Sequence, residues 1–255
     1  MEILKGILEL RKWKVEYLIC SPGKSDVEYK SLMAITHGYT SHKGSLISWM
    51  FKLKDLGIPS ILFDLPGHYL GSFNEIESFS EFQQYSHHLF PTAVNEITKR
   101  LPVSSTSNII LGGHSLGALL SIKALNLLNQ EHNALSISVG IGFSYSKTNS
   151  KHILETPFFS QGLKNYEQLV SPQLCGKNIF PWIASEKENI EITNKRVHII
   201  SGENDFIIND GAIQFANHLR SKNNNITTKI VKNLPHHQPE LAIGHIKQFI
   251  QSENL

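Results

Sequence analysis

Apolar runs of strand length recur along the chain, each followed by a turn signal and then by a longer stretch with helical spacing. The runs are Leu32 to Thr36, Ile61 to Phe63, Asn108 to Leu111, Leu135 to Ile141 and Val197 to Ile200, and Thr227 to Val231 reads as a last strand. This alternation predicts an α/β fold with a mostly parallel central sheet flanked by helices. Between the first two runs, Leu46, Trp49, Met50 and Leu53 recur at i, i+3, i+4 and i+7. They form one apolar stripe of a helix that ends at Gly57, which completes a β-α-β unit. Phe79, Phe82, Tyr85 and Leu89 predict a second helix, which Pro91 should break or kink before Val94 and Ile97 resume the pattern. A third helix runs through Ala118 to Leu128, and Ala242, Ile246, Phe249 and Ile250 make the buried stripe of a closing one. Ile7 to Ile19 is short, mixed in charge and has no helix within it, so it reads as an antiparallel pair.

The rhythm fails from about Phe143 to Lys195, where no clear strand can be read. A stretch this long without a core strand is uncommon inside a compact domain unless it is a functional insertion. Its aromatics, Phe158, Phe159, Tyr166, Phe180 and Trp182, fit a lid over a pocket. They fit equally a helical insertion that packs on the parent domain, and the two readings are compatible. The expectation is one domain over residues 1–255 with a small lid-like insertion at 143–195.

Composition narrows the classes of partner. With 24 basic against 22 acidic side chains the formal charge is only +2, which gives no reason to expect nucleic acid. The 13 histidines are scattered and form no tract. Cys20 and Cys175 allow one disulfide at most, which favours a reducing compartment. The N-terminal stretch lacks the layout of a secretory signal, and no apolar run reaches the roughly eighteen residues of a membrane span. A soluble, cytoplasmic protein is expected, and its oligomeric state is not legible.

The chemistry centres on "NIILGGHSLGALLSIKALNLL", which reads as strand, tight turn and helix. Gly113, His114, Ser115, Leu116 and Gly117 fit G-x-S-x-G, with small residues where strand and helix backbones must approach. Such a turn exposes Ser115 at the end of a parallel strand beside the positive end of a helix. A serine hydroxyl is a weak nucleophile and needs a histidine base, itself oriented by an acid. Asp205 follows the strand and turn of "RVHIISGEND", with Glu203 and Asp210 as nearby competitors. His236 and His237 follow the last strand; both cannot point at Ser115, and His236 is preferred, with His237 the alternative base. Two further donors are needed for a reacting carbonyl oxygen, and the backbone N–H groups of Tyr39 and Leu116 are the candidates. His37 reads as a structural histidine under that loop. Gly140-Ile141-Gly142 lacks the rest of a dinucleotide fingerprint, no phosphate loop exists, and the paired histidines lack metal-ligand spacing.

The chain resembles the α/β-hydrolase family over nearly its whole length. The resemblance rests on "THGYTSHKGS" for the oxyanion loop, "FDLPGHYLGS" after the next strand, "GGHSLGA" for the nucleophile elbow, "SGENDF" for the acid and "LPHHQPE" for the base. It departs from the family pattern where Pro235-His236-His237 stands for the usual Gly-His, and where Tyr69 and Leu70 precede Gly71 and Ser72. Asp64 and His68 are therefore expected to fix a loop. The resemblance implies a serine esterase acting on a small-molecule ester with an apolar part, through an acyl-enzyme and with no metal or organic cofactor. Thioesters, lactones and amides remain open as substrates, as does a member of the fold that binds a ligand or partner without catalysis.

Overall fold

The computed structural model describes residues 2–255 apart from 24–27, 130–132, 145–161, 163 and 209. β1 (Glu2–Leu10) and β2 (Trp13–Ser21) form the antiparallel pair that the N-terminal pattern predicts. β3 (Tyr29–Thr36), β4 (Ser60–Phe63), β5 (Val103–His114), β6 (Asn133–Val139), β7 (Arg196–Gly202) and β8 (Asn225–Val231) follow. Together they make one eight-stranded sheet in the order β1-β2-β4-β3-β5-β6-β7-β8, in which β3 to β8 pair in parallel.

Helices cover both faces. α1 (Ile47–Asp55) and α7 (Ile243–Ser252) pack on one, with Trp49, Met50, Leu53, Ile246 and Ile250 against the sheet. α2 (Phe79–Tyr85), α3 (Leu89–Arg100), α4 (Leu116–Ala124), α5 (Gly176–Asn189) and α6 (Gly211–Arg220) contribute to the core on the other. Successive residues of β3 divide between the two cores, Leu32 and Ala34 facing one, Met33 and Ile35 the other. A buried aliphatic side chain contributes about 1.5–3 kcal/mol, so a strand covered on both sides is stabilised by nearly every residue. That is why the central strands read as unbroken apolar runs.

Pro91 does not divide the helix where the pattern suggested. The break comes earlier, in the 3-10 turn Ser86–His88, and Pro91 lies in the first turn of α3, where a backbone N–H has no intrahelical acceptor to lose. The helix predicted to reach Leu128 stops at Ala124 and tightens to a 3-10 turn over Leu125–Leu127. β6 ends at Val139, so Gly140 and Ile141 belong to the loop, with Gly140 at φ +66°. Cys20 and Cys175 are both free thiols.

The connection from β3 through α1 places β4 on one side of β3, whereas β5 pairs with its other side and leads the chain away in the opposite direction. The carboxyl ends of β3 and β5 therefore flank a switch point, where open parallel sheets leave a crevice.

Candidate active site

At that crevice β5 runs directly into α4, and Ser115 is the residue between them. Its backbone stands at φ +51° and ψ −110°, a conformation costing a non-glycine residue on the order of 1–3 kcal/mol. The surroundings enforce it. The Ser115 N–H donates to the Val139 carbonyl at 2.9 Å, and its own carbonyl accepts from Leu119 at 3.1 Å. A β-carbon on Gly113 would lie 2.4 Å from the carbonyl carbon of Gly117, so strand and helix approach closely only because Gly113 lacks one.

His236 reaches this serine: Nε2 is 3.1 Å from Ser115 Oγ, and Nδ1 is 2.8 Å from Asp205 Oδ2. With Nδ1–H donating to the carboxylate, the neutral ring presents Nε2 as an acceptor for the serine hydroxyl. Asp205 is only 1% exposed, and its Oδ1 accepts the Ile207 N–H at 3.0 Å, which fixes the carboxylate plane. The competitors Glu203 and Asp210 are exposed. His237 is exposed too and lines the cavity without standing between Ser115 and Asp205. The His114 ring lies 4.8 Å from that of His236, and burial pushes its pKa well below the usual value. It therefore stays neutral beside His236 and places no second charge there.

The loop after β3 lies over the same serine. A β-carbon on Gly38 would stand 3.3 Å from the Ser115 β-carbon, and the Tyr39 amide follows one residue later. Leu116 is the first residue of α4, where an N–H has no helical acceptor. His37 braces the loop from beneath: Nδ1–H donates to the Gly38 carbonyl at 2.8 Å, and Nε2 accepts the Leu65 N–H at 2.9 Å. Burial pushes its pKa down to about 4, which matches that neutral tautomer.

Asp64 and His68 do what the turn "FDLPGHYLGS" suggests and hold loops together. The buried Asp64 carboxylate accepts from Lys43 Nζ at 2.6 Å, Lys43 N–H at 2.7 Å and Ser72 Oγ at 2.9 Å. His68 packs edge-on against His37 at 5.1 Å and donates to the Pro66 carbonyl at 3.0 Å.

Ser115 and His236 open into a cavity of about 1070 Å³, walled on its apolar side by Leu119, Ile141, Phe180 and Ile183. Of the aromatics assigned to a lid, Tyr166 and Phe180 line it. Trp182 does not: it packs edge-on against Phe79 at 6.0 Å and Phe82 at 5.9 Å, one residue pair around the helix, on the core side of α5. Phe158 and Phe159 lie outside the described residues. The sequence pattern drew attention to aromatics in this segment and passed over Lys187, which also lines the cavity. The spacing of Phe180, Ile183 and Lys187, which puts them on one face of α5, was the available signal. Among the described residues no group of three or more histidine, cysteine or acidic side chains could hold a metal ion, and no helix is long and apolar enough to cross a membrane.

No protein-family model matches the chain, and no curated protein does. Solved structures do resemble it. A highly thermostable carboxyl esterase from Bacillus coagulans, in complex with glycerol, superposes with a TM-score of 0.71 at 13% identity, over 99% of this chain and 97% of that one. Est1E from Butyrivibrio proteoclasticus, with ferulic acid bound, gives 0.65 at 17% identity over 97% and 98%. A soluble variant of monoglyceride lipase from Saccharomyces cerevisiae, in complex with a substrate analog, gives 0.65 at 13% identity over 97% and 94%.

Proposed function

We propose that this chain, which carries the α/β-hydrolase fold, is a serine hydrolase that cleaves carboxylic esters through an acyl-enzyme. The observation that carries the reading is the hydrogen-bonded line from Asp205 through His236 to Ser115, ending on a serine held in a strained turn. His236 Nε2 takes the hydroxyl proton as Ser115 Oγ bonds to the ester carbonyl carbon, and Asp205 stabilises the imidazolium. The Tyr39 and Leu116 amides receive the negative oxygen. His236 then gives its proton to the leaving alcohol oxygen as the ester C–O bond breaks. Water repeats the cycle on the acyl-enzyme, releasing the acid and free Ser115.

The segment 143–195 serves as a lid-like insertion in this reading, with Phe180 and Ile183 forming an apolar wall for part of the substrate. Esterase and lipase neighbours support ester over thioester or amide cleavage, and the strained Ser115 argues against a purely binding role, which needs no such turn. The test is labelling with a fluorophosphonate probe beside turnover of a short 4-nitrophenyl ester. The wild-type protein should label and turn over, and Ser115→Ala should do neither while keeping its circular dichroism and melting temperature. Turnover retained in Ser115→Ala would sink the assignment.

A further inference from the structure

Lys187 is the anomaly of the cavity. It sits on the same face of α5 as Phe180 and Ile183, one turn beyond Ile183, yet it is only 5% exposed. Nζ donates to the Gly142 carbonyl at 2.6 Å and stands 3.5 Å from Ser144 Oγ. Gly142, Ser144 and Lys187 all line the cavity that holds Ser115 and His236. Among the described residues no carboxylate pairs with this ammonium, and Glu240, an acidic residue lining the same cavity, is exposed. An ammonium has three N–H donors, and among the described residues two neutral oxygens leave it one donor and a whole charge short of satisfaction. Burial correspondingly pushes its pKa down to about 8. A lysine needed only to tie α5 to the loop after β6 would not have to be charged, since an amide could donate to Gly142.

We propose that Lys187 recognises a second, anionic group on the substrate, so that the site prefers esters bearing a carboxylate on the acyl or alcohol half over wholly neutral esters of the same length. The apolar stripe of Phe180 and Ile183 leads to Lys187 along α5, which suits a short methylene or aromatic spacer ending in a carboxylate. The inference rests on the hydrolase reading for its chemistry, but recognition can be read separately from turnover.

The experiment compares kcat/KM for two substrate pairs. Mono-4-nitrophenyl adipate against 4-nitrophenyl hexanoate puts the anion on the acyl half, and 4-acetoxybenzoate against phenyl acetate puts it on the alcohol half. The wild type should prefer the anionic member of one pair by about tenfold to a hundredfold, the range of one charge-assisted hydrogen bond. Lys187→Met should erase that preference while leaving the neutral substrates within about threefold, and Lys187→Arg should retain most of it. Preference for the neutral member in both pairs, or a preference unchanged in Lys187→Met, overturns the proposal. Calorimetric titration of Ser115→Ala with adipate and hexanoate needs neither turnover nor a lysine variant. Tighter adipate binding supports the recognition even if no ester is cleaved, and binding no tighter than hexanoate overturns it.

Discussion

Gly117 passes so close to Thr36 that a β-carbon on it would lie 2.5 Å from the Thr36 carbonyl oxygen. The first turn of α4 therefore rests directly on the end of β3, and the loop carrying Gly38 and Tyr39 is held beside Ser115. Gly117→Ala must push these backbones apart. Overpacking of this kind costs about 1–3 kcal/mol. Urea denaturation should show that loss, and ester turnover should fall tenfold or more, because the Tyr39 and Leu116 amides separate. Unchanged stability and turnover would mean that the two elements can slide freely.

The two adjacent histidines should behave very differently. His236→Ala removes the ring hydrogen-bonded to both Ser115 and Asp205, and kcat should drop by about 10⁴ or more. His237→Ala, at an exposed position, should stay within about threefold of wild type. Asp205→Asn should keep the fold yet lose about 10³–10⁴ in kcat, because the amide can stabilise neither the tautomer nor the imidazolium. Equal, modest losses for His236→Ala and His237→Ala would show that neither histidine is the base.

Removing Asp64, which does not itself line the cavity, should unfasten the loops it ties together. Lys43 Nζ has its side chain 15% exposed and bonds both Asp64 and Glu16, so it keeps one exposed carboxylate when Asp64 is gone. Asp64→Asn should cost about 3 kcal/mol by denaturant titration, the low end of what breaking a buried pair costs. Lys43→Met in the same background should recover part of that loss, as a double-mutant cycle would measure.

Acid should destabilise the protein through its buried histidines. Burial lowers the pKa of His37 and His198 to about 4 and that of His68 to about 3, so these rings stay neutral in the fold where the unfolded chain protonates them below about 6.5. The unfolded state therefore binds more protons between pH 6.5 and 4, and stability falls as pH falls through that window. Each such histidine contributes a slope on the order of 1 kcal/mol per pH unit. Urea midpoints should decline as pH falls from 6.5 towards 4. His198→Gln, which removes the ring stacked on Phe249 at 3.8 Å, should reduce the slope.

Much of the scaffold was legible because its causes are local. A strand buried on both faces must be apolar throughout, as Leu32 to Ile35 are, and a glycine on each side of Ser115 is required wherever strand turns sharply into helix. The α1 stripe of Trp49, Met50 and Leu53 likewise follows from helical spacing alone. Pro91 misled because proline interrupts a helix interior but fits a first turn, and spacing does not say where a first turn begins.

The order of Ser115, Asp205 and the His236-His237 pair after successive strands could be read from the chain, since each follows an apolar run and a turn. Which histidine reaches the serine was decided by the path of the loop after β8, which no neighbouring residue dictates. The same holds for α5: spacing put Phe180, Ile183 and Lys187 on one face and Trp182 on another, but only packing assigned one face to the cavity and the other to Phe79 and Phe82. Local physics sets which residues must be small, apolar or turned, whereas the pairing of distant loops, and with it the burial of Lys187 in the wall of the cavity that holds Ser115, arises from contacts between segments far apart in sequence.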